Sequence, residues 1–197
     1  LLLFGPEIGR LFGMISVNRG QVLSPPEANT PPPVFIDVPS ATNKTKINLQ
    51  GVSAPKTTVE LYVNGPKKDS VLTDMSGEFL FVDVELIKGK NTIFAKAGDS
   101  KSDTIEINYD NQKPEIEITS PEDGDKIQNL NERIEIEGEI NETAKITVND
   151  RIAIQRPDNT FSFLLGVEEG DTEITVRATD LAGNQAEETI EVKYEKK

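Results

Sequence analysis

Ile47-Asn48-Leu49-Gln50-Gly51 and Ile134-Glu135-Ile136-Glu137-Gly138 are one pattern written twice in a chain of 197 residues. In each, apolar and polar residues alternate and a glycine closes the run. A period of two puts every apolar side chain on one face of a strand, leaving the other face wet, as in antiparallel sheets. The same alternation continues outward through Val59, Leu61 and Val63, through Ile93, Ala95 and Ala97, and through Ile105, Ile107 and Tyr109. Turn residues punctuate these runs at Asn64-Gly65-Pro66, Ser76-Gly77 and Lys88-Gly89. No stretch long enough for a core helix carries helical spacing.

The second half repeats the first. Val63-Asn64-Gly65 answers to Val148-Asn149-Asp150, and Ser76-Gly77-Glu78-Phe79 to Asp158-Asn159-Thr160-Phe161. Gly89-Lys90-Asn91-Thr92-Ile93 answers to Gly170-Asp171-Thr172-Glu173-Ile174. The final strands match as Thr104 to Tyr109 and Thr189 to Tyr194. Matching order, matching turns and near-equal spacing indicate a tandem duplication, with insertions confined to turns, where added length costs little. Expected strands in the first copy are roughly 34–38, 46–52, 58–63, 69–73, 78–84, 91–97 and 102–109. In the second they are roughly 115–120, 133–140, 144–148, 151–155, 160–165, 171–179 and 186–194. The predicted fold class is all-β: two tandem immunoglobulin-like antiparallel β-sandwiches after a short apolar N-terminal segment. With no Cys and no Trp, Phe79, Phe81, Phe161 and Phe163 are expected to fill the two cores together with the aliphatic rows.

These motifs resemble bacterial immunoglobulin-like repeats of the kind also seen as the B domain of glucodextranase. The second copy keeps Ala178-Thr179-Asp180-Leu181-Ala182-Gly183-Asn184 whole. The first has Ala97-Gly98-Asp99-Ser100-Lys101 and lacks the Ala-Gly-Asn turn. The resemblance covers residues 34–194. It implies the sandwich fold and a non-catalytic role as spacer, adhesive module or enzyme accessory, because a fold alone does not fix a function.

Before the repeats lie two other regions. Residues 1–23 begin with the apolar run Leu1 to Val17, broken by Glu7, Arg10 and Ser16. A bilayer span needs about 20 apolar residues, so this run is read as the C-terminal part of a membrane anchor whose remainder lies upstream. An uncleaved signal-peptide remnant and an amphipathic surface helix are the competing readings. Residues 24–33 hold five prolines and are expected to form a stiff, extended stalk. The division is therefore 1–23 anchor, 24–33 stalk, 34–109 first domain, 110–114 joint and 115–197 second domain. The whole layout is similar to single-pass bacterial surface proteins.

Composition removes several functions. The chain has no Cys and no His and carries a net charge of −13. A disulfide framework, a zinc ribbon and His-dependent triads are excluded. Nucleic-acid binding is disfavoured, since phosphate backbones repel an acidic chain. Residues 34–109 carry 10 acids against 9 Lys, whereas residues 110–197 carry 22 acids against 10 bases. The excess acid of the second copy reads as solubility, or as an invitation to cations.

Candidate sites are few. Asp180, Gly183 and Asn184 offer calcium-type oxygens, but without a full ligand set they read as a tight turn. Asp110-Asn111 before Pro114 is either a hinge or an oxygen-rich joint. Asp123-Gly124-Asp125 reads as a turn. Tyr109 and Tyr194 occupy equivalent strand positions and read as structural, while Tyr62 points away from the Val59-Leu61-Val63 row. One outward Tyr supports carbohydrate binding weakly. Asn43-Lys44-Thr45 and Asn141-Glu142-Thr143 are glycosylation sequons, and Glu168-Glu169 and Glu187-Glu188 read as solvated faces. No catalytic, cofactor or metal residue is assigned, and the chain is read as a non-enzyme. Calcium is the single cofactor entertained, for an adhesin segment that calcium would rigidify. The expected function is surface contact, adhesion or spacing from the membrane, with extracytoplasmic domains. The alternative is an accessory domain of a secreted polysaccharide-degrading enzyme.

Overall fold

A computed structural model describes residues 30–197. Residues 1–29, with the expected anchor and most of the expected stalk, lie outside the described residues. The last stalk residues, 30–33, form neither helix nor strand. They are tied to the first domain: Pro33 is buried and the Ser100 hydroxyl donates to the Thr30 carbonyl at 2.5 Å. Among the described residues no helix is long and apolar enough to cross a membrane.

The first domain places β1 (Val34–Ile36), β3 (Lys46–Val52) and β6 (Glu78–Glu85) in one sheet, in the order β1-β3-β6. The facing sheet runs β2 (Ala41–Thr42), β9 (Ile105–Tyr109), β7 (Gly89–Ala97), β4 (Thr58–Val63), β5 (Lys67–Leu72), with β8 (Ser100–Lys101) beside β7. The alternating rows do what their period requires. Leu49, Val59, Leu61, Ile93, Ala95 and Ile107 point between the sheets and are buried, with Phe79 and Phe81 among them.

The repeated glycine has a steric reason. Gly51 pairs with Phe79 across β3 and β6, and Gly138 pairs with Phe161 in the second domain. A Cβ on Gly51 would lie 2.4 Å from the Phe79 ring and 2.3 Å from the Val34 carbonyl oxygen. On Gly138 it would lie 2.6 Å from the Phe161 ring and 2.5 Å from the Glu117 carbonyl oxygen. In both copies, then, glycine makes room for an inward phenylalanine.

The second domain holds β10 (Ile116–Ser120), β11 (Lys126–Asn129), β12 (Arg133–Ile140), β13 (Ala144–Val148), β14 (Arg151–Gln155), β15 (Thr160–Gly166), β16 (Gly170–Asp180) and β17 (Gln185–Lys196). Ile134, Ile136, Ile146, Phe161, Ile174 and Tyr194 dominate its core, whereas Phe163 is only partly buried at its margin. The Tyr194 hydroxyl donates to the Asn129 carbonyl at 2.8 Å and accepts from the Glu132 amide at 3.2 Å, so it ties the β11–β12 turn to the last strand.

The structure refines the sequence reading in three places. First, the opening strand of each copy is two pieces in two sheets. β1 and β10 pair antiparallel with β3 and β12, while β2 and β11 run parallel to β9 and β17. Asp37 at φ 53° and Pro39 break the first copy's run, and Pro121 with Gly124 at φ 83° breaks the second's. Second, β14 pairs with both β13 and β15, so the second domain's strands form one continuous path of eight. β5, its counterpart, pairs with β4 alone, which leaves a seam between β5 and β6. Third, the copies differ in register. Val63 faces Ile93, whereas Val148 faces Val176, a two-residue slide relative to the sequence match of Ile93 with Ile174. A slide of two keeps every side chain on its original face, so both cores survive it.

Candidate functional site

The joint between the sandwiches is built from three separated pieces of chain. The Asp110 amide donates to the Thr42 carbonyl at 3.0 Å, pinning one end of the joint to the first domain. The Glu115 amide donates to the Asn141 side chain at 2.9 Å, and the Asn141 amide donates back to the Glu115 carbonyl at 3.2 Å, pinning the other end to the second. Pro114 between them is buried. One hydrogen bond then spans the two halves: the Asn184 side-chain amide donates to the Asp110 carbonyl at 2.9 Å. Asn184 is itself held by Asp180, whose two carboxylate oxygens accept from its backbone amide and its side-chain amide, each at 2.8 Å. Gly183 takes φ 91° in this turn, a conformation that a side chain disfavours.

The turn reading of Asp180, Gly183 and Asn184 therefore describes the local geometry, and the joint reading of Asp110 describes its place. What neither reading contained is their meeting, and a third partner, Glu142. Carboxylate oxygens of Asp110, Glu142 and Asp180 lie within 4.8 Å of one another. Asp180 is buried and the other two are half-buried. Burial raises the Glu142 carboxyl above its ordinary pKa, and the Asp180 and Asp110 carboxylates push it further in that direction. The three carboxylates offer hard oxygens of the kind a calcium ion takes, part of the about 6–8 oxygen ligands it needs, although both Asp180 oxygens also accept from Asn184. The cleft also exposes Ser40, Asn108 and Thr143. Sequence signals existed for Asp110 and Asp180 separately. In the sequence Glu142 stands only as the middle of a sequon, and its place beside the other two carboxylates appears only in the tertiary fold.

The remaining expectations sort plainly. Asp123 accepts from the Glu191 amide at 2.8 Å and Gly124 donates to the Glu191 carbonyl at 2.7 Å, so that turn clips the edge of the sheet. Asn43 and Asn141 of the two sequons are both exposed. Glu168, Glu169, Glu187 and Glu188 are exposed. Tyr109 and Tyr194 are buried in their cores.

Tyr62 is not alone on its face. Its ring stacks on that of Phe94, directly across β4 and β7, at 4.7 Å between centroids and 5° between planes. The Lys96 ammonium lies 5.5 Å from the Tyr62 ring centre and the Lys101 ammonium 4.1 Å from that of Phe94. The Tyr62 hydroxyl donates to Glu60 at 2.9 Å, and Lys67 pairs with the same carboxylate at 2.6 Å. That bond raises the Tyr62 hydroxyl pKa, and the Lys67 and Tyr62 contacts lower that of Glu60. Phe94 was legible in the sequence, since it alternates out of the Ile93-Ala95-Ala97 row as Tyr62 does out of its own.

Residues 114–195 match the family model described as "Glucodextranase, domain B". Over 166 residues the chain is 31% identical to bacillopeptidase F of Bacillus subtilis (strain 168), a match covering 80% of this chain and 11% of that protein. The chain thus spans about a tenth of the length of this curated relative. Among solved structures, the fibronectin(III)-like modules of Clostridium thermocellum CbhA superpose with a TM-score of 0.57 at 15% identity, covering 83% of this chain and 94% of that one. That likeness shows the fold, and with the family match it supports immunoglobulin-like β-sandwich repeats as the content of this chain.

Proposed function

We propose that the chain is a non-catalytic, extracytoplasmic accessory region whose two sandwiches act as a stiff spacer. The observation that carries this reading is the joint. Each end of residues 110–115 is pinned to its own domain, and Asn184 of the second domain closes on Asp110. A freely hinged pair of modules needs no such bond, since modest interdomain contacts leave domains mobile by default. The likeness to a stretch of bacillopeptidase F about a tenth of that protein's length supports an accessory part within something larger. In this reading residues 24–33 lead back to residues 1–23, which hold the pair at a membrane and offer its loops to protein or surface ligands.

Two measurements test it. Backbone relaxation by NMR should give both domains one rotational correlation time, and separate, shorter times would contradict a stiff spacer. Cells producing the chain should yield it in the membrane fraction with both sandwiches open to added protease from outside. Recovery in the cytosolic fraction would contradict display.

A further inference from the structure

We propose that the outer face of β4, β7 and β8 binds an acidic polysaccharide, whose sugar rings lie on Tyr62 and Phe94 and whose acid groups meet Lys96 and Lys101. The duplication supplies the argument. Beside the turn asparagine, the cross-strand pair is Tyr62–Phe94 in the first domain and Thr147–Arg177 in the second. The turn itself is the same in both. Asn64 accepts from the Thr92 amide at 2.9 Å, and Asn149 accepts from the Thr175 amide at 2.7 Å. The fold therefore forms without aromatic residues at these outward positions.

The charges differ in the same way. Arg177 is satisfied by Glu187 at 2.6 Å and Asp150 at 3.1 Å. Lys96 and Lys101 form no ion pair among the described residues, although they stand directly opposite each other across β7 and β8. Like charges in that position repel. Glu60, opposite Lys96, is already bonded to Lys67 and Tyr62. Lys96 and Lys101 thus stand beside a carboxylate that Lys67 already holds, on a chain of net charge −13. An anion relieves that face, and two partly buried aromatic rings take the apolar C–H face of a sugar. When Lys101 swings from the Phe94 ring to the ligand's acid group, it uncovers the ring face for stacking. A densely charged polyanion is disfavoured by the acidic remainder of the molecule. A polyuronate presents one carboxylate per ring, so its charge is spread along apolar sugar faces.

The test is isothermal titration of the full chain with polygalacturonate, neutral dextran and poly-L-glutamate, at low and high salt. Binding is expected for polygalacturonate and weakens with salt. It should fall about tenfold or more both in Tyr62→Thr with Phe94→Thr and in Lys96→Gln with Lys101→Gln. Dextran and poly-L-glutamate should bind at least about tenfold more weakly. If the aromatic variant fails to fold, the lysine variant alone decides. The proposal is overturned if polygalacturonate does not bind, if dextran or poly-L-glutamate binds as tightly, or if folded variants bind like the parent. None of these outcomes bears on the stiffness of the joint.

Discussion

Single residues explain why the two copies remain recognisable. Gly51 and Gly138 are glycine because Phe79 and Phe161 occupy the space that a Cβ would fill. Replacing Phe161 by Ala should destabilise the second domain by about 3–5 kcal/mol. Gly138→Ala should cost about 1–3 kcal/mol through overpacking against a ring and a carbonyl. Urea unfolding of each variant measures both, and a neutral Gly138→Ala would refute the steric reading. Glu142 makes a second prediction at this scale. Its carboxyl is raised in the folded chain, so the stability it contributes is present below its ordinary value of 4.5 and is lost as pH rises through the raised value. At pH near 7, with chelator present, Glu142→Gln should therefore melt higher than the parent, and the difference should vanish at about pH 4. Glu60, Glu132, Asp158 and Glu195 are shifted downward by their partners and act oppositely, but equally in both proteins. A variant that melts lower at neutral pH would contradict the repulsion.

At the scale of elements, the copies diverge where β5 and β14 sit. β14 bonds to strands on both sides, whereas β5 bonds to β4 alone and carries Lys67, Lys68 and Asp69 along its free edge, the charges that guard an edge against pairing. Amide hydrogen exchange should accordingly be slower through β14 than through β5, and equal rates would mean that the seam is closed in solution. The long strands were legible because one face is buried and the other wet, which writes a period of two into the sequence. β2 and β8, at two residues each, are too short to carry a period, and β11 alternates only faintly. Two further features were hidden for physical reasons. A two-residue slide between β13 and β16 preserves every face, so no alternation records it. Glu142 and Asp180 meet because β13 pairs with β16 inside the second sandwich, and Asp110 joins them where Asn184 closes on the joint, neither of which local pattern encodes. Phe94 differs, because its outward position was written in the alternation and only its partnership with Tyr62 needed the fold.

For the whole molecule, the joint decides whether two sandwiches act as one body. A buried Asp180 orients Asn184, Asn184 reaches the Asp110 carbonyl, and short pinned ends leave little free chain between the domains. The three carboxylates beside that bond repel, so the hydrogen bonds hold the joint against local charge, and a bound cation would add to them. The chain has no native Cys, so spin labels can be placed at will. Lys88 and Glu188, both exposed, stand on the first and second domains. The most direct measurement is the pulsed electron spin resonance distance between labels at Lys88→Cys and Glu188→Cys, in chelator, with and without Asn184→Ala. A stiff spacer predicts one narrow distance distribution that broadens when Asn184 is lost. A broad distribution in the parent, or one unchanged by Asn184→Ala, would contradict it.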